Sequence, residues 1–235
     1  MPPFSDLTPH AVAESGRALA QGIGCAQIVM LPDGFSEGDE PDGSGKYIAI
    51  AMQDPPIADA LADLLENRGG LMLGIGNGFQ AMVELGLLPY GAMRPRGERD
   101  PVLTHNTIAR YVSTYVHTVV SSVLSPWMAG VQPGAVHAIA VSHGEGRFVC
   151  DETQLRALQS AGQIVTQYAE PDGTPAARFP ANPYGSAWAV EGICSPDGRI
   201  LGKMGHSERA GPGVAANIPG DKDQKLFASG VAYFA

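Results

Sequence analysis

The segment from Leu71 to Gln80 constrains the fold of this chain more than any other part of its sequence. It reads Leu-Met-Leu-Gly-Ile-Gly-Asn-Gly-Phe-Gln, so an apolar run enters a turn that has glycine at alternate positions. The residues from Phe79 to Leu85 then have the apolar spacing of a helix. A strand, a sharp turn and a helix in this order are typical of a nucleophile elbow, which presents a reactive side chain. The central position here is Gly76, which has no side chain to present.

Helices and short apolar runs alternate around this segment, which predicts an α/β fold with right-handed crossovers and a parallel sheet. The first helix is expected over 11–21, with Asp6 or Thr8 as its N-cap and with Gly22 and Gly24 ending it. The other predicted elements are a helix over 54–68, a helix over 155–159, and strands over 26–31, 71–73, 111–120, 135–141, 164–168 and 188–193. Sites in such folds form beyond the carboxyl ends of strands, so we expect one at loops 33–38 and 74–78.

Composition narrows the class of protein. The 235 residues, 44% of them hydrophobic, can bury one substantial core, so we expect a single domain over 1–235. The formal net charge of -9 argues against a nucleic-acid partner, because such binding depends on clusters of Lys and Arg. No apolar stretch near the N-terminus indicates a signal peptide or a membrane span. The three scattered cysteines favour a reducing, cytoplasmic location over a disulfide framework.

Two glycine-rich segments resemble nucleotide-binding motifs without completing them. The run Gly74 to Gly78 matches half of a dinucleotide fingerprint, but Phe79 stands at the position of the third glycine. The run Gly43 to Lys46 is similar to a phosphate loop, but Glu40 replaces its first glycine and Tyr47 its Ser or Thr. Neither segment therefore predicts a bound nucleotide.

The acidic segment 37–42 has the carboxylates of a calcium loop but not its pattern. Pro41 interrupts it, and Ile50 stands where a closing glutamate would be needed. We therefore expect a solvated loop here, and the sequence predicts no metal site.

His206 and Glu208 are two residues apart, so their side chains can be linked in an extended strand or a turn. A base oriented by a carboxylate is what a thiol or hydroxyl nucleophile needs. Such a pair is more often structural than catalytic. Together with the elbow and with the loop Asp33-Gly34-Phe35, whose amides are free to bind an anion, it becomes a catalytic hypothesis.

Five segments of the chain occur together in one known family. They are Gly34 to Asp39, Gly74 to Gln80, Ser142-His143-Gly144-Glu145-Gly146-Arg147, Asn182 to Ser186 and His206 to Arg209. On these segments the chain resembles the class I glutamine amidotransferase domain of phosphoribosylformylglycinamidine synthase, from de novo purine synthesis. The resemblance covers nearly the whole chain, and the third segment is particularly specific. It implies a flavodoxin-like three-layer α/β sandwich with a mostly parallel central sheet.

The resemblance also implies an activity and partners. Glutamine is hydrolysed at an elbow cysteine, whose position is that of Gly76 here, and the ammonia passes to a synthetase domain or subunit. His206 is then the general base, and Glu208 is its orienting carboxylate. ATP and magnesium belong to the synthetase part, so this domain is expected to need no cofactor.

The substrate-binding residues follow from the same resemblance. The backbone amides near Gly34 and Phe35, together with that of Asn77, would form the oxyanion hole. The residues expected to hold glutamine are Gln80, Ser142 and His143.

The chain departs from the family pattern in three places. Gly76 replaces the nucleophile, and Asp33 stands where the family has another glycine beside the oxyanion loop. The family also begins with a strand, a helix and a second strand that have no counterpart here. We therefore expect a truncated domain with an exposed sheet edge, which is an association hazard.

Glycine at the elbow is expected to leave the fold intact and to disable the chemistry. Gly76 tolerates strained backbone better than any residue with a Cβ. Loss of a triad nucleophile lowers turnover by about 10⁶ in subtilisin, so we expect negligible glutaminase activity. Cys150 is the nearest alternative thiol in sequence, but a nucleophile misplaced by about 1 Å loses much of its rate.

Two other functions remain open at this stage. One is a non-catalytic glutamine-binding or scaffold subunit that docks on the synthetase. The other is a nucleotide-binding α/β module.

Overall fold

The structure is a computed structural model that describes residues 8–34 and 44–235. Phe35 and the acidic segment 37–42 lie outside the described residues, so the expectations made for them are not addressed by it. The α-helices are α1 (Pro9–Cys25), α2 (Ser44–Met52), α3 (Pro55–Ala62), α4 (Asn77–Glu84), α5 (Leu87–Tyr90), α6 (Glu152–Ser160) and α7 (Leu226–Ala232). A π-helical turn, Asp63–Asn67, continues α3, so the predicted helix over 54–68 is confirmed.

The strands are β1 (Ile28–Leu31), β2 (Leu71–Ile75), β3 (Val102–Thr104), β4 (Val112–Val120), β5 (Val136–His143), β6 (Arg147–Val149), β7 (Ile164–Ala169), β8 (Val190–Cys194) and β9 (Ile200–Lys203). Each of the predicted strands is confirmed within a few residues. The sequence reasoning missed β9, which is four residues long, and the short strands β3 and β6, which pair with each other in a separate two-stranded sheet.

The described residues form a seven-stranded central sheet in the order β1-β2-β9-β8-β7-β4-β5. The pairs β1–β2 and β2–β9 are parallel, and the other four pairs are antiparallel. It follows that β1, β2, β9, β7 and β5 run in one direction, whereas β8 and β4 run in the other. Parallel neighbours are thus confined to the half that carries the elbow. The sheet is mixed: five of its seven strands share one direction, but the expected parallel pairing holds for only two of the six neighbouring pairs.

The sheet is covered on both faces, which makes the fold a three-layer α/β sandwich as expected. The two faces of β2 illustrate this, because Met72 belongs to one apolar cluster whereas Leu71, Leu73 and Ile75 belong to another. The first cluster includes apolar residues of α1, α3 and α4. The second includes Trp127 and Leu226, the latter from α7. A strand that is buried on both faces has a continuous apolar sequence, as the segment from Leu71 to Leu73 does.

The end of α1 differs from the prediction. Thr8 is the N-cap as expected, and its hydroxyl accepts from the Ala11 amide at 3.3 Å. However, the helix continues through Gly22 and Gly24 to Cys25. The guanidinium of Arg68 donates to the carbonyls of Ile23 and Ala26 at 2.9 and 2.6 Å. This contact from a distant segment satisfies carbonyls that a helix end otherwise leaves to solvent.

Within the described residues, no helix is both long enough and apolar enough to cross a membrane.

Candidate functional site

The candidate site lies where four strands of common direction end. Asp33 follows β1, Gly76 follows β2, His143 ends β5, and His206 follows β9. Because the strands β1, β2, β9 and β5 run in the same direction, their carboxyl ends lie at one edge of the sheet. This is the edge at which α/β folds place their binding sites.

Gly76 forms the turn between β2 and α4. Its φ of 56° and ψ of -116° lie outside the regions that residues with a side chain readily adopt. Its amide donates to the Lys203 carbonyl at 3.0 Å, and its carbonyl accepts from the Gln80 amide at 3.1 Å. The strained strand-turn-helix elbow that the sequence predicts is therefore present.

The carboxylate of Asp33 occupies the space in which a side chain at position 76 would begin. A Cβ built on Gly76 would lie 2.3 Å from Asp33 Oδ1 and 2.5 Å from its Cγ. Asp33 Oδ1 also accepts from the Asn77 amide at 2.9 Å. Glycine at 76 and aspartate at 33 thus fit together, and a larger residue at 76 requires Asp33 to move.

Asp33 is ionised in this setting. Burial opposes the charge, but hydrogen bonding and attraction from His143, the Asn77 amide and the His206 ring together lower the pKa of the carboxyl. Its side chain is only 10% exposed. A partly buried negative charge therefore stands at the elbow, beside an amide that the resemblance assigns to the oxyanion hole.

His206 and Glu208 form the linked pair that the sequence suggested. His206 Nδ1 lies 2.6 Å from Glu208 Oε1, and the imidazole is fully buried. The backbone of His206 is held in place because its amide donates to the Ala140 carbonyl at 2.9 Å. Burial raises the pKa of the Glu208 carboxyl, but the hydrogen bond and the charge of His206 outweigh this and lower it overall. The ring thus has one nitrogen on a carboxylate and the other, Nε2, directed toward Asp33 Oδ2 at 3.6 Å.

His143 stacks on His206. The ring centroids are 4.8 Å apart and the planes are inclined by 17°. His143 Nδ1 lies 2.7 Å from the Tyr184 hydroxyl, and its Nε2 lies 3.4 Å from Asp33 Oδ2. Tyr184 comes from the segment Asn182 to Ser186, so two of the family-like segments meet at this ring.

Of the other predicted site residues, Gly34 contacts the elbow, whereas the side chains of Gln80 and Ser142 bind residues other than the elbow and the two histidines. The side-chain amide of Gln80 donates to Glu145 Oε2 at 2.8 Å, and both residues line a cavity of about 150 Å³. The carbonyl of Gly34 accepts from the Asn77 side chain. The Ser142 hydroxyl, near the end of β5, accepts from the Tyr111 hydroxyl at 3.0 Å.

The native thiols lie elsewhere in the fold. Cys150 follows β6, and its Sγ lies 3.2 Å from Gln154 Oε1 of α6. Burial and the nearby Asp151 raise the pKa of the Cys150 thiol to about 11. Burial raises the pKa of the Cys194 thiol, on β8, to about 12. Protonated thiols are poor nucleophiles, so these contacts agree with the expectation that Cys150 does not replace the elbow cysteine.

Sequence reasoning missed a buried ion pair directly behind the elbow. Lys203 Nζ lies 3.3 Å from Glu191 Oε1, and the two side chains are 1% and 0% exposed. The ammonium also binds Ser207 Oγ and Gln224 Oε1 at 2.7 and 2.9 Å. Its signals in the sequence were a lysine at the end of the apolar run 200–202 and a glutamate inside the predicted strand 188–193.

An elbow between a parallel strand and a helix, with a carboxylate-linked histidine beside it, defines the site of a glutamine amidotransferase domain. The chain belongs to the CobB/CobQ-like glutamine amidotransferase domain family, whose match spans residues 4–234.

Individual relatives agree with this assignment. The chain is 39% identical over 185 residues to phosphoribosylformylglycinamidine synthase subunit PurQ of Methanococcus maripaludis strain C7, an alignment that covers 78% of this chain and 65% of that protein. It is 37% identical over 213 residues to the PurQ subunit of Synechococcus sp. strain JA-2-3B'a(2-13), covering 88% and 79%. The chain therefore spans slightly less than two thirds of the first of these relatives.

The fold is also found among solved structures. The structure of PurLQS from Thermotoga maritima matches with a TM-score of 0.63 and 27% identity, covering 89% of this chain and 80% of that one. The expected family and fold class are thus confirmed.

Proposed function

We propose that this chain is the amidotransferase component of a phosphoribosylformylglycinamidine synthase, and that its glutaminase step is disabled at the elbow. The PurQ relatives support the first part of the proposal. One observation carries the second: the Asp33 carboxylate occupies the space of the missing nucleophile side chain.

The base of the reaction is retained without its nucleophile. In the proposed ancestral reaction, His206 takes the proton of an elbow thiol and Glu208 stabilises the resulting imidazolium. The hydrogen bond of 2.6 Å between the two residues suits these roles. Gly76 offers no atom that could attack the glutamine amide, so the acyl-enzyme cannot form.

Asp33 presents a second obstacle. An oxyanion hole works because preorganised donors face the oxygen on which negative charge develops. Here the Asn77 amide already donates to Asp33 Oδ1, and a carboxylate beside the developing charge repels it. Restoring the thiol alone therefore leaves the site occupied by the wrong group.

The proposed partners are glutamine and a synthetase domain or subunit that holds ATP and magnesium. We place the protein in the cytoplasm with that synthetase, without a nucleic-acid or membrane partner. The alternative function, a non-catalytic glutamine-binding or scaffold subunit, is favoured by the same pairing of Gly76 with Asp33. A synthetase docked on such a subunit would use free ammonia.

Four proteins test the proposal: the wild type, Gly76→Cys, Asp33→Gly and the double variant. We expect glutamate release from glutamine only in the double variant, with Gly76→Cys lower because its Cβ meets Asp33. Because loss of a triad nucleophile lowers turnover by about 10⁶, the wild type should release glutamate more slowly than the double variant by about that factor. Glutamate release is measured with and without the synthetase component, because the domain's activity can depend on its partner.

Two controls complete the experiment. Gly22→Cys adds a thiol at a helix position with no atom within 4 Å and should release no glutamate. Adding His206→Gln to the double variant should abolish the restored activity. If the double variant binds glutamine but releases no glutamate with the synthetase present, the scaffold function is correct and the disabled-enzyme proposal is wrong.

A further inference from the structure

Three side chains at the elbow bring metal-binding atoms together. Asp33 Oδ2 lies 3.4 Å from His143 Nε2 and 3.6 Å from His206 Nε2. One ligand atom from each of the three residues lies within 4.8 Å of the others. The residues come from three separate strand ends, so the grouping is a product of the fold.

The nitrogen of His206 that faces Asp33 lacks a hydrogen bond. His206 Nε2 is buried and makes no hydrogen bond to any of the described residues, and Asp33 Oδ2 faces it at 3.6 Å. Metal binding requires the tautomer in which Nδ1 donates to Glu208 and the lone pair of Nε2 faces the Asp33 carboxylate. In that tautomer a cation between Nε2 and Asp33 Oδ2, which are 3.6 Å apart, offsets the repulsion between the two electron-pair donors.

The distances suit a small transition-metal ion. Zinc binds imidazole nitrogen at about 2.0–2.1 Å and carboxylate oxygen at about 2.0–2.2 Å, usually with tetrahedral angles. Two such ligands are then about 3.3–3.5 Å apart. The separations of 3.4 and 3.6 Å between Asp33 and the two rings need little adjustment, whereas the stacked rings must tilt toward each other to bring both Nε2 atoms to one ion.

The surroundings also resemble those of metal-binding histidines. Such a histidine usually donates its second ring N–H to a carboxylate or another acceptor, which fixes the ring and its tautomer. Glu208 lies in this position at His206, and the Tyr184 hydroxyl does so at His143. A hydroxyl can donate or accept, so Tyr184 is compatible with a metal-bound His143. The longer contact of 3.4 Å from the Ser142 amide to the same Nδ1 is then lost.

The cluster depends on the glycine at the elbow. Asp33 can approach the two rings only because Gly76 has no Cβ at the place where the Asp33 carboxylate lies. The glycine at position 76, which removes the thiol nucleophile, is thus also what allows Asp33 to join the two histidines.

We propose that Asp33, His143 and His206 bind one divalent transition-metal ion of the zinc type, through Oδ2 and the two Nε2 atoms. Three protein ligands leave a fourth position for water or another small ligand. This inference is independent of the proposed function, because it requires neither glutamine nor a synthetase.

The test uses the full chain freed of metal by chelation and titrated with Zn²⁺ in a calorimeter or with Co²⁺ followed by visible absorption. We expect one ion per chain and, for Co²⁺, the intense visible bands of a four-coordinate site. Asp33→Asn and His206→Gln should weaken binding by more than about 100-fold, and Glu208→Gln by about 10- to 100-fold. His10→Gln is the matched control, because His10 lies in an exposed histidine–glutamate pair, 3.6 Å from Glu14.

The proposal is wrong if the wild type binds neither ion stoichiometrically, or if His10→Gln weakens binding as much as Asp33→Asn does. Should a variant fail to fold, imidazole ¹⁵N resonances of the wild type decide. Changes on adding Zn²⁺ that include both His143 and His206 support the site. Changes confined to other histidines overturn it.

Discussion

Gly76 and Asp33 together decide what chemistry the elbow can perform. Taken alone, each residue indicates a loss of activity: Gly76 removes the nucleophile, and Asp33 places a charge beside the oxyanion hole. The structure shows that they are complementary, because the carboxylate fills the space that the glycine leaves. The function of this site must therefore be tested with both residues changed together.

The buried ion pair behind the elbow leads to a stability prediction at the residue scale. Lys203→Met leaves the Glu191 carboxylate buried without its cation, so we expect the free energy of unfolding to fall by about 3–5 kcal/mol. Arg156→Met, which breaks the exposed pair with Glu152, should change it by less than about 1 kcal/mol. Urea denaturation of both variants measures the difference. Equal small effects would show that the buried pair is solvated in solution.

At the scale of elements, local sequence predicted where most helices and strands lie. The elbow was predictable because its glycines are required by close approach: a Cβ on Gly78 would lie 1.9 Å from the Leu31 carbonyl. The end of α1 was not, because the Arg68 guanidinium that binds its last carbonyls comes from a distant part of the chain. A glycine near a helix end is thus a stop signal only when no other group satisfies those carbonyls.

Two helical glycines give opposite predictions for the same substitution. Gly22→Ala in α1 should raise the free energy of unfolding by about 0.5–1 kcal/mol, because no atom lies within 4 Å of the new Cβ. Gly230→Ala in α7 should lower it by about 1–3 kcal/mol, because the Cβ would lie 2.4 Å from the Trp127 ring. Thermal unfolding of the two variants tests both signs. Stabilisation by Gly230→Ala would mean that α7 is not packed on Trp127 as described.

At the scale of the whole molecule, folding shifts the pKa values of groups spread over the chain. Burial lowers the pKa of His137 despite the nearby Asp221, so the folded state favours the neutral ring. The pKa of the Asp33 and Glu208 carboxyls is also lowered, because their partners outweigh burial. Although burial opposes it, hydrogen bonds from Tyr90, the Gly97 amide and Arg94 lower the pKa of Asp100 to about 2.

These shifts predict that acid destabilises the protein in two stages. Below the ordinary histidine pKa near 6.5, the unfolded chain binds a proton at His137 that the folded chain resists, so stability begins to fall. Below about pH 4.5 the unfolded carboxyls take up protons before the folded ones do, and stability falls more steeply. Urea denaturation at intervals from pH 7 to pH 3 measures both stages. A maximum of stability near pH 4 would contradict the prediction.

Asp100→Asn isolates one contribution to the second stage. It should destabilise the protein by roughly 1–2 kcal/mol at pH 7, a value reduced for solvent screening because Arg94 is 38% exposed. The difference from the wild type should vanish as the pH falls toward 2. A difference that persists at low pH would indicate that the effect is one of packing.

The sequence by itself determined the family, the elbow and the pairing of His206 with Glu208, because each of these is written in residues close together along the chain. Only the tertiary structure decided that Asp33 fills the room above Gly76, that His143 stacks on His206 and that Lys203 is buried against Glu191. These contacts join the ends of different strands. Which strand ends are neighbours depends on the order and direction of the strands in the sheet. Local periodicity reports which residues are buried in a strand, but it does not report which other strand end lies beside them.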